Sequence, residues 1–346
     1  MTWKCIVAVF LVAAGGAAPD LHAGDSVPAA ALVRKAIGRS LPLLEKGAAG
    51  SAGQRKCFTC HSQALPVLAI VEARNRGFTI DKENLERQLR HTEAHLKRGR
   101  KNYLEGRGQG GKVITAGYTL WALDAGGREP GETTAAVTGF LLDYQKQSNH
   151  WRHPGKRPPS SGSDFTTTYV ALRGLASFGT EDQESKIAER TKAVRQWLLG
   201  EEPRDTEDRV FRLRALAIVD ADKKVIRQAV AALIEKQRDD GGWTQTPEMT
   251  NSDAYATGTV LVALLRAGHL STEHPAVRRG MQYLIDTQLE DGSWHTVTRA
   301  KPFQKYFESG FPHGKDQFIS ITASSWAIIA LSLTLPKSPR DTKTVN

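Results

Sequence analysis

Along most of this chain, apolar positions recur at the spacing of one helix face, and polar turns interrupt them at a recurring interval. The pattern predicts six helical hairpins. Their first helices span Ala29–Lys46, Asp81–Arg98, Glu132–Gln147, Gln183–Leu199, Asp222–Gln237 and His274–Gln288. Their second helices span His61–Arg76, Lys112–Ala125, Asp164–Phe178, Thr206–Val219, Ser252–Ala267 and Gln317–Leu335. Ser163-Asp164 and Asn251-Ser252-Asp253 supply helix-opening side chains, and Gly179 and Gly268 mark helix ends. Links between hairpins (Gly77–Ile80, Gly126–Gly131, Gly179–Asp182) are short, whereas links inside hairpins are mostly long. The two sets of loops therefore lie at opposite ends of the bundle. Six stacked hairpins bury a continuous core, and six can close a ring. The fold class expected is all-α.

Three turns repeat. Phe140–Gln145 leads to Trp151, Leu233–Gln237 to Trp243, and Tyr283–Gln288 to Trp294, so a Gln closes an amphipathic helix and a Trp follows. Gly241-Gly242 and Gly292 suit a chain that must enter the left-handed region after a helix, while Asn149 replaces glycine in the third copy. Gln237-Arg238-Asp239-Asp240-Gly241-Gly242-Trp243 and Gln288-Leu289-Glu290-Asp291-Gly292-Ser293-Trp294 resemble the QW repeats of squalene-hopene cyclases, a superfamily that includes protein prenyltransferase β subunits. Arg279-Gly280 and Tyr283-Leu284-Ile285 add to the likeness, which runs from about Ala29 to Leu335 and is sharpest over Gln228–Leu335.

The resemblance implies an α/α toroid of inner and outer helices with a cavity at one end of the inner ring. It implies that Gln145, Gln237, Gln288, Trp151, Trp243 and Trp294 are structural braces between outer helices. The family's chemistry transfers less well, because full-length cyclases have two toroids and this chain has length for one. Their catalytic acid lies in an Asp-x-Asp-Asp motif. Asp205-Thr206-Glu207-Asp208 is the nearest match, with Glu207 at the catalytic position. A glutamate is a general acid if burial raises its pKa. Acidic residues that open a helix are nonetheless ordinary, since they favour its positive end, and that is the expectation for Glu207. A prenyltransferase-type zinc site needs a Cys beside Asp and His, and beyond the leader only Cys57 and Cys60 are available.

The N-terminus changes the compartment. Lys4, the apolar run Cys5–Ala18 and the small residues after it read as a signal peptide over 1–23, which predicts export, periplasmic or equivalent. Residues 24–336 are expected to form one toroid with a haem-motif loop at 54–62, and 337–346 a disordered tail. Phe318–Leu335 is long and apolar, but Ser320, Thr322, Ser324 and Ser325 make it a core helix rather than an anchor. The formal charge is +10, with local clusters only at Lys97-Arg98-Gly99-Arg100-Lys101 and Lys156-Arg157. No aromatics interleave them, so a solvated face comes first and contact with an anionic membrane or acidic redox protein second; an exported protein is not expected to have nucleic acid as a partner.

The strongest chemical motif is Cys57-Phe58-Thr59-Cys60-His61, the pattern of covalent c-type haem attachment. Two thiols form thioethers to the porphyrin vinyls, and the following imidazole, His61, is the metal ligand. Export supports the motif, since such haem is attached outside the cytoplasm. A Cys57–Cys60 disulfide and a zinc site are the competing readings. His150, His153, Met249, His295 and His313 lie in loops of the same rim and are the candidates for a sixth ligand. The function expected first is thus haem-based electron transfer or oxidoreduction with a redox partner. Binding of a small hydrophobic ligand or a scaffold role comes second, and terpenoid cyclisation third.

Overall fold

In the computed structural model, residues 27–155, 157–302 and 305–338 are described. The expected signal segment lies outside them, as does most of the expected tail, although Ser338 N still donates to the Asn75 carbonyl (2.9 Å). Among the described residues, twelve α-helices alternate between two layers. The outer ones are α1 (Ala30–Gln54), α3 (Lys82–Leu104), α5 (Glu132–Asp143), α7 (Glu184–Gly200), α9 (Lys223–Ile234) and α11 (Pro275–Asp286). The inner ones are α2 (Leu65–Arg74), α4 (Lys112–Ala125), α6 (Asp164–Phe178), α8 (Thr206–Ile218), α10 (Ala254–Arg266) and α12 (Gln317–Leu333).

Hydrophobic pattern decides the layer. In α10 every residue from Ala254 to Leu264 is buried, so the helix has no solvent face. In α11 only Ala276, Val277, Gly280, Met281 and Leu284 are buried, a single stripe. Each inner helix packs on the next, and α12 packs back on α2, which closes the ring. Close approach needs small residues: a Cβ at Gly258 of α10 would lie 2.9 Å from the Ala327 nitrogen of α12. The segment from Gly314 to Leu333 is long and apolar enough to cross a membrane, yet 83% of that window is buried inside the ring. It is a core helix, as its serines suggested.

The repeated turns tie the outer layer. In all three copies the Trp indole N–H donates to a carbonyl near the end of its own outer helix: Trp151 to Leu141, Trp243 to Leu233 and Trp294 to Leu284, each at 2.8 Å. Gln237 Nε2 donates to the Gly241 carbonyl and to Ala276 O of the next outer helix, both at 2.8 Å. Gln288 Nε2 donates to Gly292 O (2.9 Å) and to Ala36 O of α1 (2.8 Å), so the last repeat is stitched to the first. Gly241 (φ +83°) and Gly292 (φ +91°) are left-handed, and a Cβ on them would meet Arg279 O at 2.7 Å and Arg39 O at 2.6 Å. The third copy is built differently. Gln145 itself takes φ +55°, and Arg190 of α7 lies 4.3 Å from the Trp151 ring and donates to the Gln145 carbonyl (3.2 Å). An arginine from the neighbouring helix does there what the glutamine amide does elsewhere.

Several boundaries differ from the sequence pattern. The outer helices α5, α9 and α11 stop before their motif glutamines, where the Trp indoles rather than a further helical turn bond the Leu141, Leu233 and Leu284 carbonyls. Conversely α1 continues to Gln54, so the connection to the second helix of that hairpin is only 55–59 and no loop extends over 54–62.

Candidate functional site

The N-terminal ends of the inner helices and the long loops surround a cavity of about 620 Å³. This is the rim on which the loop-length argument placed the Cys57–His61 motif. Thr59 positions the motif's second half: its hydroxyl accepts from Ser62 N (3.3 Å) and its N–H donates to Gln63 Oε1 (2.8 Å). These bonds hold a single π turn, Cys60–Ala64, that runs directly into α2. Cys60 and His61 thereby line the cavity, beside Leu65 of α2 and Phe318 of α12. The His61 ring meets the Phe318 ring edge-on at 5.3 Å. Burial, aided by the positive Arg157, pushes the imidazole down to about 4, so it is neutral at physiological pH. Its Nε2 is buried and has no hydrogen-bond partner.

Cys57 is exposed and outside the cavity wall; its carbonyl accepts from His91 Nε2 (3.3 Å). Both thiols are free, so the disulfide reading does not describe this conformation. Among the described residues no group of three or more His, Cys, Asp or Glu side chains is placed to hold a metal, which leaves the zinc reading without a ligand set. The residues present do fit a covalent haem: free thiols three positions apart, and a neutral imidazole whose Nε2 lacks any protein partner. None of the five sixth-ligand candidates contributes to the cavity wall. His150 stacks on Trp197 (4.3 Å), His153 Nδ1 bonds Asp164 (2.5 Å), and His295 bonds Asp316 (3.0 Å) and stacks on His313 (4.7 Å).

Across the ring from α2 stands α8, opened by the acidic motif. Asp205 caps the helix by accepting from Asp208 N (3.0 Å). Asp208 is held by the Ser163 hydroxyl (2.7 Å) and Arg204 Nε (2.8 Å). Glu207 is not the solvated helix-opening acid expected. It is 3% exposed and turns into the ring, where the Thr166 hydroxyl lies 2.6 Å from Oε1 and the Tyr255 hydroxyl 3.0 Å from Oε2. Burial raises its pKa to about 8, and neighbouring Asp205 and Asp208 push the same way against the two hydroxyls. The group is therefore a carboxylic acid at pH 7. Glu207 stands behind Tyr255, and Tyr255 lines the cavity.

Two turns further along α8, Arg214 is 4% exposed and lies within 5.3 Å of four aromatic centroids, those of Tyr169, Trp121, Phe211 and Trp326. Its Nη2 donates to the Tyr169 hydroxyl (2.6 Å). Sequence reading did not find it, nor Tyr118 and Tyr255, because the cage is assembled from residues on four inner helices. The one available signal was spacing: Glu207, Phe211 and Arg214 share a helix face that is otherwise apolar.

Residues 204–327 match the family described as squalene-hopene cyclase C-terminal domain. The squalene-hopene cyclase of Bradyrhizobium diazoefficiens is 35% identical over 125 residues, which is 31% of this chain and 18% of that protein. A probable squalene-hopene cyclase of Sinorhizobium fredii is 33% identical over 122 residues, 30% of this chain and again 18% of the relative. This chain thus spans under a fifth of the length of the cyclases it matches. Among solved structures, the type II terpene cyclase MstE from Scytonema superposes with a TM-score of 0.56 at 14% identity, over 88% of this chain and 98% of its own. A wild-type glycosidase superposes at 0.59 with 11% identity, over 89% and 98%. The fold is a terpene-cyclase-like α/α toroid, and the same fold carries unrelated chemistry in these neighbours.

Proposed function

We propose that the rim cavity binds a terpenoid-class apolar molecule and that Glu207, acting through Tyr255, is its proton donor. The observation that carries this reading is a carboxylic acid, protonated at neutral pH, one hydrogen bond behind a phenol in the cavity wall. It sits in the segment that matches the cyclase domain. For protonation of a substrate alkene, the Tyr255 hydroxyl, which donates to Glu207 at rest, rotates towards the alkene; its proton passes to carbon as the Glu207 proton passes to the phenol oxygen. The alkene becomes a carbocation, and the remaining carboxylate keeps its bond from Thr166. Loss of a proton from an adjacent carbon back to the pair restores the acid. Arg214 already fills the aromatic cage beneath, so a positive charge moving deeper meets a guanidinium. That favours ligand binding and short proton-transfer chemistry over multi-ring cyclisation.

The test is incubation of the purified chain with squalene or geranylgeraniol, followed by extraction and mass spectrometry. Wild type is expected to retain the isoprenoid and yield an isomer of equal mass, and Glu207→Gln to lower its formation by about 10²–10⁴-fold. Turnover untouched by Glu207→Gln removes the acid from the mechanism; no retained isoprenoid and no product overturns the reading.

A second reading is favoured by the unpartnered Nε2 of His61 beside Cys60 at the same cavity. On this reading Cys57, Cys60 and His61 would hold a covalent c-type haem, which would supply one-electron exchange with a partner in an exported compartment. Expression of the full chain with a cytochrome c maturation system, then a pyridine haemochrome spectrum, decides it. A thioether-type spectrum lost in the Cys57→Ser, Cys60→Ser double variant is expected. Free thiols and no covalent haem would sink it.

A further inference from the structure

The charges in the cavity wall have one sign. Arg157, Lys301, Lys305 and Lys315 line it, and among the described residues no Asp or Glu does. Among the described residues Lys301, Lys305 and Lys315 form no ion pair, although the rest of the surface pairs many of its cations with carboxylates. Like charges gathered round one opening repel one another, and a neutral hydrocarbon in the cavity relieves none of that repulsion. Position sorts the wall as well. Lys301 and Lys305 lie between α11 and α12, Lys315 just before α12, and all three are exposed. Leu65, Phe318 and Ile319 come from the inner helices, with buried Tyr118 and Tyr255 among them. The cavity is therefore cationic at its mouth and apolar or aromatic within.

We infer that the ligand is an amphipathic anion, its apolar body among Leu65, Phe318 and Ile319 and its carboxylate or phosphate head at Arg157, Lys301, Lys305 and Lys315. This rests on the cavity being a ligand site and adds the chemical class of what enters. An isoprenoid with a phosphate head and a porphyrin with two propionates share this chemistry. Each places charge at the mouth and an apolar body below it.

Two matched pairs separate the sources on the full chain, followed by tryptophan fluorescence: geranylgeranyl diphosphate against geranylgeraniol, and protoporphyrin IX against its dimethyl ester. The anionic member of at least one pair should bind about tenfold tighter than its neutral partner at low salt, with the gap closing towards 1 M salt, where the screening length falls to about 3 Å. The pair that shows the gap identifies the source. Lys305→Gln and Lys315→Gln, exposed positions that leave the fold intact by circular dichroism, should each narrow the gap about threefold without moving the neutral compound. Equal affinity within both pairs, or a gap that ignores salt and both substitutions, overturns the inference while leaving the cavity a ligand site. Absence of binding by all four compounds overturns both the inference and the proposed function beneath it.

Discussion

Two opposite walls of the inner-helix ring, α8 and the head of α2, each carry a titratable side chain that burial drives to neutrality, from opposite directions. On α8, Glu207 is pushed up to about 8; at the head of α2, His61 is pushed down to about 4. The difference lies in what surrounds them. Glu207 has a hydroxyl on each oxygen, whereas His61 Nε2 has no partner. A buried polar group with all bonds made is part of the protein's own network, while one left without a partner leaves a bond for something that arrives later. The first wall is therefore hydrogen-bonded and proton-bearing, the second incomplete.

The largest effect tests the α8 wall through stability against pH. The folded-state pKa of Glu207, about 8, lies above the ordinary glutamate value of 4.5. Its contribution is therefore fully present below pH 4.5 and is lost as pH rises towards 8, since the folded state holds a proton that the unfolded state releases. The loss runs at up to about 1.4 kcal/mol per pH unit and totals on the order of 4 kcal/mol. Glu207→Gln keeps the neutral shape and should flatten this component. The measurement is urea unfolding of both proteins between pH 5 and pH 8, read as the difference between their slopes, because Asp253 (raised to about 6) and His95 (lowered to about 4) titrate in both. Parallel slopes would show that Glu207 is ionised at neutral pH and carries no proton to donate.

Tyr255→Phe sharpens the same wall with a smaller effect. It removes one of two bonds to the acid, at a cost of about 1 kcal/mol. That bond favours the charged carboxylate, so its loss should move the Glu207 titration further upward, and the pH range over which stability falls should extend to higher pH. A shift downward would mean that Tyr255 accepts from Glu207 instead of donating to it.

How far these walls were legible in sequence follows from the range of the interactions. Layer and ring closure were legible because periodicity is local and the Gln-to-Trp turns repeat; even Gln288 reaching back to Ala36 follows from stacking repeats in a circle. The Cys57–His61 motif and its rim were legible for the same reason. Glu207 was misjudged because a helix-opening glutamate looks alike whether it faces solvent or a ring interior, and Thr166 and Tyr255 are 41 and 48 residues away. Arg157 was grouped with Lys156 as a solvated pair, but the turn joining Arg157 to Ser161 folds it into the cavity wall beside Cys60. The Arg214 cage drew on four helices at once, and its one local trace was the spacing of Glu207, Phe211 and Arg214 along a single helix face.

The smallest effect is the most discriminating for the α2 wall. Replacing a buried polar group that has no partner with an apolar side chain of similar size removes a desolvation cost and breaks no bond. His61→Leu should therefore leave the unloaded protein within about 1 kcal/mol of wild type, and on the stabilising side. The matching change on the opposite wall, Glu207→Leu, deprives the Thr166 and Tyr255 hydroxyls of their acceptor and should cost about 2 kcal/mol or more. Denaturant unfolding of the two variants side by side tests the asymmetry. If His61→Leu destabilises as strongly as Glu207→Leu, then Nε2 has a partner in solution and the incomplete wall is complete after all. If it does not, the imidazole is maintained at a cost to stability, and the same variant should lose whatever spectroscopic signature a ligand on that nitrogen gives.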